Sequence, residues 1–321
     1  MDKIKRYFIT LYKQGRTFGY PFMLQCFIRR IVSFRLYERY MYNYLTKYFS
    51  ELINEFKVIE NQESKKVMQG DPFHIWSLWW QGEDNAPDIV KRCLESQRKM
   101  LIFSGIEYHV LTEDNWNDYI ELPEFILKKV SDGRITLTHF SDIIRAELLR
   151  KYGGVWIDAT VYCTEPVDLR KQSNPFFSVK AHEYSNFYTL RRWTGFFIGD
   201  EKNSLLFDFM AEAFRYYWKK ENDLIVYLLI DYLIAIAYDQ FDSVRKNIDA
   251  VCVSNTELWS MLRKMNHPYD QHEWQQMTSS TTFFKLSYKD EFNGGPLQIQ
   301  TLEGIETFYG RICREDGIGE K

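Results

Sequence analysis

The residues best suited to chemistry cluster between Ser141 and Thr160. Asp142 and Arg145 are three positions apart, so on a helix they share one face. Asp158 and Thr160 are two apart, so on a strand they project to one side. Asp158 stands among Val155, Ile157 and Val161, where a carboxylate without a partner or a metal is costly to bury. Carboxylates and a guanidinium brought together can orient a hydroxyl-rich ligand, because each offers several hydrogen bonds. A carboxylate can also hold Mg²⁺ or Mn²⁺, which acts as a Lewis acid on a phosphate oxygen.

These residues need elements to position them. Thr138 is read as the N-cap of a helix running through Asp142, Arg145 and Leu149, with Gly153 as its stop. After Gly153-Gly154, Val155–Val161 reads as one strand, and the tight link packs helix and strand side by side. Upstream, Phe73–Trp80 predicts a ring-rich strand ended by Gln81-Gly82, Pro87–Lys99 a helix, and Ile106–Leu111 a second strand. Strand, helix, strand is the pattern of a nucleotide-binding α/β fold, whose ligands sit at the carboxyl ends of the strands. Alternation puts Trp76 and Trp80 on one face. Two of Trp76, Trp79 and Trp80 are expected in the core, leaving Trp80 to stack on a flat ligand. The most apolar stretch, Leu224–Ala237, predicts a buried helix. Its Asp231 is open to two readings, an acceptor-side base or a hydrogen-bonded structural group.

Residues 1–68 predict a basic helical region and residues 69–321 an α/β domain with a helical, aromatic-rich second half. A polar stretch, Asn61–Gly70, serves as the linker. The first fifty residues carry ten Lys/Arg against Asp2 and Glu38, a net of +8, whereas the whole chain is −3 and the remainder therefore −11. Basic residues interleaved with Tyr, Phe and Leu suit either a helix on an anionic membrane face or a solvated face packed on the chain's own domain. The acidic remainder argues against nucleic acid as a partner. Five scattered cysteines without a CxxC pair indicate neither a zinc site nor a disulfide framework, and fit a reducing cytoplasm. His267 and His272, five apart, make a poor metal pair. Asn293-Gly294-Gly295-Pro296 reads as a loop, either a lid or an ordinary turn.

The string Ser141-Asp142-x-x-Arg145-x-x-x-Leu149-x-x-Tyr152-Gly153-Gly154-x-Trp156-x-Asp158 resembles the sugar-binding region with an Asp-x-Asp motif of mannosyltransferase-like and clostridial-toxin-like glycosyltransferases. Its ending, Trp156-Ile157-Asp158-Ala159-Thr160, is more similar to capsular polysaccharide synthesis proteins, as are Ile75–Gly82, Phe207–Tyr238 and Phe284–Lys289. The resemblance covers about residues 70–290. It implies a GT-A (Rossmann-like) fold with added helices and a nucleotide-sugar donor, in the first instance a UDP-sugar. It further implies transfer with retention to a polysaccharide or lipid-linked glycan at the inner face of the cytoplasmic membrane. By the same resemblance Trp80 would stack on the base, Asp142 and Arg145 would hold the donor sugar with Trp156 beside it, and Asp158 would be the first metal-linked aspartate. Thr160 stands where the motif has a second aspartate and is a weaker, neutral ligand, so Lys285 or Lys289 is a candidate to neutralise the diphosphate instead. Two other functions stay open on the same scaffold: a non-catalytic nucleotide-sugar or glycan-binding protein, and a nucleotide-sugar hydrolase.

Overall fold

The computed structural model describes residues 3–62, 72–172, 174–180 and 192–314, with side chains from residue 7 onward; most of the polar linker lies outside the described residues. The amino-terminal part is helical, as its apolar spacing predicts. Its helices are α1 (Lys3–Phe18), α2 (Tyr20–Val32), α3 (Phe34–Tyr48) and α4 (Ser50–Gln62). Pro21 sits in the first turn of α2, where its missing N–H costs no intrahelical bond.

The α/β core follows as β1 (Phe73–Leu78), α5 (Asp88–Leu101) and β2 (Ile106–Leu111), then α6 (Glu124–Ser131), α7 (Leu137–Tyr152) and β3 (Gly154–Ile157). β1 runs parallel to β2 on one side and to β3 on the other. β4 (Val161–Cys163) comes next, followed by β5 (Phe177–Ser178) and β6 (Phe197–Asp200), with β6 antiparallel to β3 and to β5. The result is a mixed five-stranded sheet in the order β2-β1-β3-β6-β5, flanked by helices. The chain reverses its direction of winding at β1, so the crevice between the carboxyl ends of β1 and β3 is the topological switch point. Alternation along the strands decides the two faces. Trp76, Trp156 and Ile198 join the core under α7 and under α8 (Leu205–Lys220), whereas Ile75, Val155, Ile157 and Phe197 join the one that buries Ile89, Cys93 and Leu94 of α5.

Three sequence expectations are corrected. The cap of α7 is Thr136, whose hydroxyl accepts from the backbone N–H of His139, not Thr138. The expected single strand Val155–Val161 is two strands. A turn at residues 158–160, closed by Val161 N–H to the Asp158 carbonyl at 3.0 Å, carries the chain from the main sheet into a second ladder of β4 with β7 (Phe283–Lys285). The apolar stretch 224–237 is helical only from Leu229, where α9 (Leu229–Gln240) begins. Gly153 does end α7 as expected, with φ 69°. Gly154 has φ 89°, and a Cβ there would lie 2.0 Å from the His74 carbonyl oxygen, so only glycine lets β3 lie against β1.

The basic amino-terminal helices pack on α8 and α9. Phe22, Leu45, Phe49 and Phe56 share a core with Phe209, Leu233 and Phe241. Tyr42 Oη donates to Asp239 at 2.5 Å, and the Arg16 guanidinium pairs with Asp223 at 2.8 Å. The outer surface nevertheless exposes Phe8, Tyr12, Leu24, Ile28 and Ile31. Among the described residues no helix is long and apolar enough to cross a membrane.

Candidate functional site

α7 delivers Asp142 and Arg145 to the switch point on one helical face, and the turn after β3 delivers Asp158. Arg145 lies between the two carboxylates. Its Nη2 is 3.6 Å from Asp142 Oδ1 and 3.4 Å from Asp158 Oδ1, while Nη1 donates to the Gly195 carbonyl. The guanidinium also stacks 4.7 Å from the centre of the Trp156 ring, a cation–π contact that fixes its plane. Its Nε is buried without a hydrogen-bond partner.

Asp158 is held from several sides. Trp156 Nε1 donates to Oδ1 at 2.9 Å, and Lys285 Nζ faces Oδ2 at 3.4 Å. Lys285 also donates to the Thr160 hydroxyl. β7 supplies this lysine, because the β4–β7 ladder pairs Val161 with Lys285. His139 stands behind Asp142 without a hydrogen bond to it. His139 Nε2 accepts from Trp218 Nε1 at 3.0 Å, and since an indole N–H only donates, the neutral ring carries its proton on Nδ1, which faces Asp142 Oδ2 at 3.5 Å.

The structure therefore brings Asp142, Arg145, Trp156, Asp158, Thr160 and Lys285 together. Trp80 stands at the same end of the sheet, half-buried, edge-on to Phe140 of α7 at 5.7 Å. Of the three rings near β1 only Trp76 is fully buried, whereas Trp79 and Trp80 are both half-buried. Lys289 is exposed, with its ammonium 5.8 Å from the Tyr288 ring centre rather than beside Asp158.

Sequence reasoning left Asp231 unresolved. It accepts from Trp193 Nε1 at 3.0 Å and lies within electrostatic reach of Asp142 and Arg145. Burial pushes its carboxyl up to about 6; the Trp193 hydrogen bond opposes the rise, and the Asp142 charge adds to it. Nothing in its local sequence marks that proximity. Only the packing of α9 against α7 through α8 creates it.

For a divalent ion at Asp158, the donor set is poor. One carboxylate oxygen is occupied by Arg145 and Trp156, and the other faces an ammonium that also occupies the neutral Thr160 hydroxyl. Two cationic side chains already stand where a chelated ion would add more positive charge. Among the described residues the group of three side chains able to coordinate a divalent ion is His74, Glu107 and His109, on β1 and β2.

Known proteins show the following similarities to this chain. The chain is 28% identical over 171 residues to the glycosyltransferase afumC of Aspergillus fumigatus, covering 49% of this chain and 43% of that protein. It is 30% identical over 95 residues to the O-glycosyltransferase PaGT of Phomopsis amygdali, covering 26% and 23%. It is also 27% identical over 93 residues to the O-glycosyltransferase braB of Annulohypoxylon truncatum, covering 27% and 22%. The chain thus spans less than half the length of each of these curated relatives. A solved structure, the PaToxG glycosyltransferase, is similar over 73% of this chain and 95% of that one, with 11% identity and a TM-score of 0.34. The family model described as "Capsular polysaccharide synthesis protein" matches residues 27–301.

Proposed function

The chain belongs to the capsular polysaccharide synthesis protein family, and we propose that it is a retaining glycosyltransferase of GT-A type that moves a sugar from a nucleotide donor, in the first instance a UDP-sugar, to a glycan hydroxyl. The observation that carries this reading is the grip on Asp158 at the switch point, by Trp156, Arg145 and Lys285 together. Asp142 and Arg145 are assigned to the donor sugar's hydroxyls, and Trp80 to the base.

In this reading the positive charge on the leaving diphosphate comes from Lys285 and Arg145, preorganised before the donor arrives. When the donor binds, Lys285 exchanges part of its contact with Asp158 for the diphosphate. The anomeric carbon–phosphate oxygen bond breaks while the acceptor oxygen bonds to the same face of that carbon. The acceptor's proton passes to the departing phosphate oxygen. A divalent ion at Asp158, Mn²⁺ or Mg²⁺, would require Lys285 to leave both Asp158 and Thr160, and no step is assigned to it.

The exposed apolar side chains of α1 and α2, with Arg29 and Arg30 among them, support peripheral contact with the anionic inner face of the cytoplasmic membrane. A lipid-linked or polymeric acceptor would be presented there.

The test is calorimetric binding of UDP-, GDP- and CMP-sugars, with Mn²⁺ or with chelator, to wild type, Asp158→Ala and Lys285→Ala. Binding of one donor that survives chelator and is lost in both variants supports the lysine-assisted site. Binding that requires Mn²⁺ returns the metal to Asp158, and the absence of binding by any donor removes the transferase reading.

A further inference from the structure

Away from the pocket, His74 lies near the start of β1, while Glu107 and His109 lie on the neighbouring strand β2. The parallel register sets His74 beside Glu107 and Trp76 beside His109, so the three side chains project from one face although thirty-five positions separate the histidines. His74 Nδ1 and His109 Nε2 are 3.1 Å apart. Glu107 Oε2 is 3.5 Å from the first and 3.6 Å from the second.

Those three separations form a nearly equilateral triangle. Tetrahedral Zn²⁺ with bonds of about 2.0–2.1 Å places its ligand atoms about 3.3–3.4 Å from one another. The triangle is therefore one face of such a tetrahedron. A direct imidazole–imidazole hydrogen bond would explain the 3.1 Å separation, and register alone the nearness of Glu107, whereas one bound ion accounts for all three separations at once.

The surroundings hold the rings in that arrangement. The Trp76 indole is stacked against both imidazoles, at 5.1 Å and 24° to His74 and at 4.3 Å and 19° to His109. Tyr119 Oη lies 3.3 Å from His109 Nδ1, the ring nitrogen that faces away from the cluster. Ligating histidines commonly have an outer-shell partner of this kind, which fixes the tautomer. Both imidazoles are nearly buried, while the Glu107 side chain is 53% exposed and gives solvent access to the remaining face.

We propose that His74, Glu107 and His109 form a binding site for a divalent transition-metal ion of the Zn²⁺ class, tetrahedral with its fourth position open to water, that clamps edge strand β2 to β1. Two imidazoles and one carboxylate favour Zn²⁺ over Mg²⁺ and Ca²⁺, which prefer all-oxygen shells. His74 and Glu107 lie level near the starts of β1 and β2 and His109 lies level with Trp76, whereas Trp80 and Asp158 follow the carboxyl ends of β1 and β3. The clamp is therefore independent of donor binding and of the transferase reading.

The experiment uses the full chain stripped with chelator and titrated with ZnCl₂ by calorimetry, with Co²⁺ as a visible reporter of tetrahedral geometry. Wild type and Asp158→Ala are expected to bind one Zn²⁺ per chain and to gain thermal stability on binding. His109→Gln is expected to lose about 100-fold or more in affinity together with that stability gain, and Glu107→Gln about 10-fold or more. Glu107 is half-exposed, so its substitution leaves the fold intact even if loss of His109 does not, and circular dichroism checks both. Absence of Zn²⁺ binding by the folded wild type overturns the proposal. So does Zn²⁺ binding unchanged in Glu107→Gln and in folded His109→Gln, or a cobalt spectrum lacking the intensity of a tetrahedral site.

Discussion

At the scale of single residues, Asp158 shows why the type of partner matters as much as its presence. Its oxygens meet an indole N–H, a guanidinium and an ammonium, and only the last stands over a neutral hydroxyl where the motif has a second acid. Lys285→Ala is therefore expected to lower kcat by about 10²–10³-fold, and Lys285→Arg to restore part of it, in a donor-turnover assay with saturating acceptor. Retention of full activity by Lys285→Ala would remove the lysine from the chemistry. Asp231 makes a different prediction. Its folded-state pKa, about 6, lies above the ordinary value of 3.8, so its contribution to stability is complete below pH 3.8 and is lost as the pH rises through 6. Between pH 4 and pH 7.5 the wild type should lose on the order of 2 kcal/mol relative to Asp231→Asn, measured by urea unfolding at the two pH values. An unchanged difference would mean that the carboxyl is not forced to carry charge against its surroundings. The pairing of Asp142 with Arg145 was legible in the sequence because helix geometry is local. Lys285, one of two lysines proposed, could be singled out only once the β4–β7 register was known, and the meeting of His74 with His109 is equally a product of register.

At the scale of elements, the link between α7 and β3 does more than stop a helix. The sequence predicts the strand–helix–strand unit and the Gly153 stop, since both follow from short-range periodicity and backbone freedom. It does not predict the break at residues 158–160, because Val155, Ile157, Ala159 and Val161 keep a strand's alternation through it and only pairing with two different partners divides the run. Gly154→Ala should destabilise the fold by about 3 kcal/mol or more, since the added carbon meets the His74 carbonyl at 2.0 Å and the backbone has φ 89°. Gly133→Ala is the control. That glycine has φ 68° but nothing within 4 Å of an added Cβ, so about 1 kcal/mol of backbone strain is expected. Equal midpoints for the two variants in chemical denaturation would show that β1 and β3 tolerate separation.

At the scale of the whole molecule, the basic amino-terminal region does not stand apart. α3 and α4 are sewn to α8 and α9 by buried rings, while α1 and α2 carry most of this region's exposed apolar side chains. The packed reading of this region holds for its inner side, and membrane contact is the proposal for its exposed side. Periodicity and charge could not apportion them, because the surface against which the layer packs is written nearly two hundred residues later, as in the pairing of Tyr42 with Asp239. The protein is expected to sediment with vesicles containing phosphatidylserine and to be released by raised salt, since the charge component is screened beyond about 10 Å at 0.1 M. Replacing Phe8, Tyr12, Ile28 and Ile31 by serine should abolish sedimentation without changing donor binding. Sedimentation that survives these substitutions would move the contact elsewhere.

The ladder between β4 and β7 also sets an order of assembly. Thr160 and Lys285 are 125 positions apart, and Asp142 and Asp158 precede both β7 and its lysine. During synthesis from the amino terminus, a nascent chain can form α7, β3 and the acidic turn long before the ammonium that faces Asp158 has been made. An interrupted product ending before residue 283 would keep the acidic half of the pocket and lack its cationic closure. Such a truncated chain would keep Arg145 but lack the second cation proposed for the diphosphate, so the proposed transfer would depend on chains synthesised at least through β7.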